Sequence, residues 1–299
     1  MSRLLVGTAT GLHHVGDDGG PDLEGRAVTA IDRDGDLWWV LVDGREVHGG
    51  PLGGLRPIAT LDGQRGRCLA ATAEGPLVGT AGAHLVRILG DRLTPVHSFE
   101  DAGLREGWHT PWGGPPDVRS LATSRDGALH VNVHVGGILR SDDAGESWRP
   151  TIDLDADVHQ VRALDDGTVV AATAFGLAVS TDAGATWRFQ IDGLHARYQR
   201  AVAVCGDALI ASASDGPRTR NAAVYRTDLK ATRPFERCDR GLPQSFSDNV
   251  DTYCIDALGA TAAIGTADGE VYVSGDSGLT WELCARGLGA VRCVAVAAE

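Results

Sequence analysis

The stretch Ser180–Trp187 reads STDAGATW, and close copies stand at Ser141–Trp148 (SDDAGESW) and Ser274–Trp281 (SGDSGLTW). All three fit S-x-D-x-G-x-[ST]-W, a coincidence of fixed positions that chance does not supply three times in one chain. The physical sense of the phrase is a turn. The Ser or Thr and the Asp can hold backbone N–H groups, and the Gly supplies a positive φ. The Trp then closes the hairpin by packing on the flank of its sheet. The phrase is therefore expected to staple hairpins rather than to do chemistry.

A second repeat counts the units. It reads Arg, small, aliphatic at the start of a short apolar strand: RAVTAI (Arg26), RCLAAT (Arg67), RSLATS (Arg119), RALDDG (Arg162), RAVAVC (Arg200), YCIDAL (Tyr253) and RCVAVA (Arg292). A repeat of roughly forty residues with several short strands indicates a β-propeller. After each copy comes a strand such as ALHVNVHV (Ala128–Val135), TVVAATA (Thr168–Ala174) or LIASAS (Leu209–Ser214), then a Gly-bearing turn and a strand such as GILRS (Gly137–Ser141). The last copy begins eight residues from the end, so only RLLVGTATGLHHV (Arg3–Val15) can complete its sheet. The reading is an all-β, seven-bladed propeller of four-stranded antiparallel blades. It forms a single domain over residues 1–299 and is closed by pairing of the N- and C-terminal strands, which removes open sheet edges.

The S-x-D-x-G-x-[ST]-W phrase resembles the Asp-box, or BNR repeat, of sialidases, sortilin-type receptors, some glycanases and photosystem II assembly factors. At the level of the repeat, the resemblance implies a propeller fold. Sialidases resemble six-bladed rings with an arginine triad and a Tyr–Glu pair. Seven repeats and no assignable Tyr–Glu pair argue against sialidase activity here. Seven-bladed assembly-factor propellers are similar in blade number and carry an arginine patch, which implies a non-catalytic alternative.

Composition narrows the partners. The 299 residues carry a net charge of −13, with no basic run to offset it, which disfavours nucleic acid. Lys230 is the single lysine. The opening MSRLLVGTATGL reads as a strand rather than a signal peptide, and no apolar run is long enough to span a bilayer. A cytoplasmic protein with no membrane partner is expected. The six cysteines form no CxxC pair. Cys68, Cys254 and Cys293 share one repeat position, and Cys238 and Cys284 share another, so all five are read as small buried hydrophobes.

Strand order sorts the chemistry onto one face. The starts of the inner strands and the loops beside them gather at one mouth of the expected central channel. That face receives Arg26, Arg67, Arg119, Arg162, Arg200, Arg292 and Tyr253, with His109, Trp112, His134, Asp157, His159, His195, Tyr198, Asp215, Asp248, Asn249 and Asp251 around them. Clustered guanidiniums need neutralising, either by carboxylates such as Asp117, Asp157 and Asp251 or by a bound anion. His134, His159, His195 and Tyr198 are the candidate proton-transfer groups. The same three histidines are also a candidate metal set. The arginines, Tyr253, His109, Trp112, Asp215 and Asp251 are the candidate ligand contacts. Long insertions at Phe99–Asp117 and Ser214–Asn221 add to this face. Two readings follow. One is a site for an acidic small molecule or sugar, with hydrolase- or lyase-type chemistry. The other is a binding or assembly module that grips an acidic protein partner with its arginines.

Overall fold

The computed structural model describes residues 3–16, 19–101 and 105–298. Residues 102–104 of the Phe99–Asp117 insertion lie outside this set, as do the first two residues of the opening strand reading. The described residues form seven antiparallel sheets, six of four strands and one of three, the architecture of a seven-bladed β-propeller. Among the described residues, helix is confined to His97–Glu100 and two single 3-10 turns. No helix among the described residues is long and apolar enough to cross a membrane. The chain divides into two compact units, residues 29–170 with 180–187, and residues 1–28, 171–179 and 188–299.

In the first unit the inner strands Gly66–Ala70 and Val118–Thr123 each begin with a β-bulge. Middle strands such as Leu129–Val133 and Gly137–Ser141 are buried at every residue. They are covered on both faces, which is why their sequences lack a clean polar alternation. Leu41, Val47, Leu69, Val78 and Ile88 form one apolar layer of this unit.

The second unit contains the joined termini. Arg3–Thr8 pairs antiparallel with Val291–Ala297, with Gly7 opposite Cys293 and a bulge at Arg292. This seventh sheet has three strands rather than the expected four. Its outer edge is finished by one isolated bridge, in which Leu12 and Asp22 exchange backbone hydrogen bonds of 2.8 and 2.9 Å. Among the described residues between Val15 and Val28, this bridge at Asp22 stands in place of a fourth strand.

One packing device recurs in both units. Cys68, Cys254 and Cys293 point their thiols at the carbonyls of Val118, Val291 and Val28, at 3.3, 3.7 and 3.8 Å. Gly79, Gly265 and Gly7 lie beside these cysteines in the neighbouring strand. A Cβ on Gly79 would sit 2.3 Å from Val118 and 2.5 Å from Cys68. The equivalence read from the sequence thus marks where one inner strand presses on the next. Burial pushes Cys238 and Cys293 up to about 12, as expected of inert core thiols. Cys284 differs from its repeat partner Cys238: it is exposed, where Cys238 is buried.

The three S-x-D-x-G-x-[ST]-W turns are near-copies in space. In STDAGATW, Ser180 donates to Asp182 at 2.7 Å and accepts from the Gly184 N–H at 2.8 Å. Asp182 accepts from the Thr186 N–H and hydroxyl at 2.8 and 2.6 Å. Asp143 and Asp276 make the same bonds, with Ser147 and Thr280 as donors. The tryptophans do more than close their own hairpins. Trp148 donates to Ser98 and packs edge-on against Phe99, while Trp187 donates to the Thr151 carbonyl. A fourth, decayed copy shows only in the structure: Asp228 accepts from the N–H and hydroxyl of Thr232, with Ala231 left-handed at φ 46°.

Candidate functional site

Register fixes which residues occupy equivalent inner-strand positions. Arg67, Arg119 and Arg292 each occupy the bulge that strand pairing skips. Asn132 Nδ2 reaches the Val158 carbonyl as Cys68 reaches that of Val118, so the residue equivalent to Arg119 in the next inner strand is His159. The hairpin turns agree, since Leu164 bonds Thr168 as Ser124 bonds Ala128. Arg162 is therefore equivalent to Ala122, at the far end of its strand, and not to the other arginines. Arg26 also falls outside the set. It lies in a turn bonded to Leu23 two residues before the strand, and Thr29 holds the bulge position. The equivalent positions carry Thr29, Arg67, Arg119, His159, Arg200, Tyr253 and Arg292, so four arginines occur where the phrase match gives six. The Arg-small-aliphatic phrase is short enough for RAL at Arg162 to match three residues out of register.

A rule connects these positions to carboxylates. Asp117, Asp157 and Asp251 each stand two residues before a bulge position. Asp117 bridges Arg67 of the preceding blade at 2.9 Å, and Asp251 bridges Arg200 at 3.1 Å. Arg200 also donates to the Tyr198 hydroxyl and the Pro217 carbonyl, and lies over the Tyr198 ring. Paired in this way, Arg67 and Arg200 are largely neutralised from within the chain.

At Asp157 a histidine, His134, joins the arrangement. Nε2 of His134 lies 3.1 Å from Asp157 Oδ1 and 3.3 Å from Arg119 Nη1, and Nε2 of His159 lies 3.6 Å from the same carboxylate oxygen. The His134 and His159 rings stand 5.4 Å apart. Asp157 holds this position as the left-handed residue that ends the turn Leu154–Ala156, with φ 46° and ψ 64°, a conformation Asp tolerates better than most residues. Its Oδ1 is sealed from solvent and accepts no hydrogen bond of good geometry. Burial alone would raise the Asp157 carboxyl. The contact with His134 and the neighbouring His159 and Arg119 outweigh burial and hold it below the ordinary value.

The Phe99–Asp117 insertion contributes two tryptophans with opposite roles. Trp108 is 7% exposed, packed on Phe99 and covered by the Arg105 guanidinium, an anchor for the loop. Trp112 is 65% exposed, and its ring stands 5.1 Å from that of His134. His109 is exposed and its Nδ1 turns back to the Gly107 carbonyl.

The remaining candidates are committed elsewhere. His195 lies in the second unit, with Nδ1 2.7 Å from the Tyr225 hydroxyl and Nε2 2.9 Å from the Asn221 carbonyl. Both ring nitrogens are thus used, Nε2 as donor and Nδ1 as acceptor, and His195 is not available as a third metal ligand. Asp215 accepts from Thr219, and Asn249 is locked to Ser214 at 2.6 Å. Asp248 accepts from the Asn249 N–H at 2.7 Å. Tyr253 is left-handed at φ 65°.

No family model and no curated protein matches the chain. Solved structures do. The chain is similar to YCF48 bound to D1 peptide, with 13% identity, a TM-score of 0.59, and 95% of this chain and 84% of that one covered. It is similar to the GH74 xyloglucanase from Xanthomonas campestris, with 16% identity and a TM-score of 0.62, covering 95% of this chain but only 46% of that enzyme. It is also similar to U3-55K, with 15% identity, a TM-score of 0.65, and 89% and 84% covered. At such identities the likeness is one of fold, and the chain joins the β-propellers on that ground alone.

Proposed function

We propose that the chain is a ligand-binding propeller whose site is built on Trp112, Arg119, His134, Asp157 and His159, and whose ligand is a ring-bearing, acidic small molecule or saccharide. The observation that carries this reading is the exposed Trp112 ring beside His134. An exposed indole face offers an apolar platform for a sugar ring, and Arg119 is suited to a carboxylate on that ring. His134 and Asp157 supply a proton-exchanging pair at the same place, which makes hydrolase- or lyase-type chemistry the catalytic form of the proposal. The arginines bridged to Asp117 and Asp251 are read as structural, so a broad grip on an acidic protein by a full arginine set is the weaker alternative.

Calorimetric titration with oligosaccharides, with and without uronic acid groups, tests the proposal. Binding restricted to the uronic acid series, and lost in Trp112→Ala and Arg119→Ala variants that keep the wild-type circular dichroism, is the expected result. Binding of an acidic peptide with no saccharide affinity would favour the assembly-module reading instead.

A further inference from the structure

We infer that His134 Nε2, Asp157 Oδ1 and His159 Nε2 form a binding site for a divalent first-row transition-metal ion. The three donor atoms lie within 4.8 Å of one another, the two imidazole nitrogens at 3.1 and 3.6 Å from the shared carboxylate oxygen. Ligands about 2.0–2.1 Å from a tetrahedral ion stand about 3.3 Å apart, so both imidazole–carboxylate separations already match the spacing such an ion requires. Two imidazoles and one carboxylate suit zinc or iron(II) rather than magnesium or calcium, which take oxygen donors.

Two further features support the assignment. Asp157 Oδ1 is sealed from solvent, yet no hydrogen bond of good geometry satisfies it, a costly condition that a cation relieves. The second feature is a conflict at His134. Its Nε2 faces both the Arg119 guanidinium, which requires a lone pair, and the Asp157 carboxylate, which requires an N–H. One imidazole nitrogen cannot offer both. A metal resolves the conflict, because the lone pair of Nε2 and the charge of Asp157 then point at the same ion. Arg119, on a long side chain, turns aside toward the ligand's acidic group.

Three protein ligands leave at least one coordination position open. The ion would there polarise an oxygen of a bound molecule. This inference does not depend on the identity of the organic ligand, because the metal alone is the probe.

Cobalt(II) titration of the tag-free, chelator-treated protein provides the test, read by visible d–d absorption and by calorimetry. We expect one equivalent to bind, with the intense bands of a low-coordinate site, and zinc to displace it. His134→Ala and Asp157→Asn should each weaken binding by more than about 100-fold, beyond the 10–100-fold that loss of an outer-shell partner costs. His195→Ala should bind as the wild type does, and Arg119→Ala, which removes a competing cation, at least as tightly. His159 is fully buried, so the two less buried ligands carry the test without risking the core. Weak binding of several equivalents, or retained affinity in folded His134→Ala and Asp157→Asn, overturns the assignment. Saccharide binding that survives such a failure would leave the proposed function standing without the metal.

Discussion

His134, just after the strand Leu129–Val133, and Asp157, just before Val158–Ala163, meet at 3.1 Å and set this pair of blades apart from its equivalents. Where Asp117 bridges Arg67 and Asp251 bridges Arg200, the carboxylate neutralises the arginine of the preceding blade. Around Asp157 the same geometry gathers two imidazoles and an exposed indole as well. The repeat thus supplies a structural salt bridge, and one copy of it has acquired the groups of a site.

The turn aspartates tie stability to acid pH. Hydrogen bonds, first from the hydroxyls of Ser147, Thr186 and Thr280, hold Asp143, Asp182 and Asp276 down to about 2, against an ordinary 3.8. A carboxyl lowered on folding stabilises fully above its unfolded pKa and loses that contribution as the pH falls toward its folded one. The triple variant D143N/D182N/D276N should therefore melt lower than wild type at about pH 6 and converge with it toward about pH 2. Parallel melting curves over that range would show that these bonds do not carry the acid sensitivity.

Gly79→Ala should destabilise the protein by about 1–3 kcal/mol, the usual cost of overpacking, because its Cβ would meet Val118 at 2.3 Å and Cys68 at 2.5 Å. Adding Val118→Ala removes the closest contact. The double variant should then be less destabilised than the sum of the singles in urea unfolding, as expected of touching residues. Strict additivity would mean that the inner strands do not press together at this point.

Thiol labelling reads the burial pattern directly. Native protein should react with Ellman's reagent at Cys284 alone, the single exposed cysteine of six, while the other five wait for unfolding. Fast reaction of Cys68 or Cys293 would contradict the packing described for the Cys–Gly positions.

The Arg200–Asp251 pair is partly exposed, 18% and 49% at the two side chains, so solvent screens it. A double-mutant cycle with Arg200→Ala and Asp251→Ala should return a coupling of about 0.5–1 kcal/mol. Uronic acid binding should be unaffected by Asp251→Ala. Loss of ligand binding in that variant would place Arg200 in the site, and the structural role given to its bridge would be wrong.

Much of the fold was legible because its signals are periodic. The three turn phrases, the recurring cysteines and the terminal pairing of Arg3–Thr8 with Val291–Ala297 all follow from spacing along the chain. The three-stranded seventh sheet was not legible, because nothing in the sequence between Val15 and Val28 shows that a single bridge replaces a strand. Within the site, Arg26 and Arg162 were misplaced by a phrase too short to fix register. The histidines were found as a group, but not which of them meet, since those contacts join residues distant in sequence. His195 satisfies its ring with Tyr225 and Asn221, and Asp157 belongs with His134 and His159. The recoverable signal was a short one: Asp117-Val118-Arg119, Asp157-Val158-His159 and Asp251-Thr252-Tyr253 share a D-x-[R/H/Y] pattern, and the copy carrying His marks the site.

The most direct measurement of the central claim is an anomalous difference map from crystals grown with zinc, recorded on either side of the zinc absorption edge. The account predicts its strongest peak within bonding distance of His134 Nε2, Asp157 Oδ1 and His159 Nε2, with Arg119 withdrawn from His134. A map without a peak there, or with zinc held only at other histidines, would contradict it.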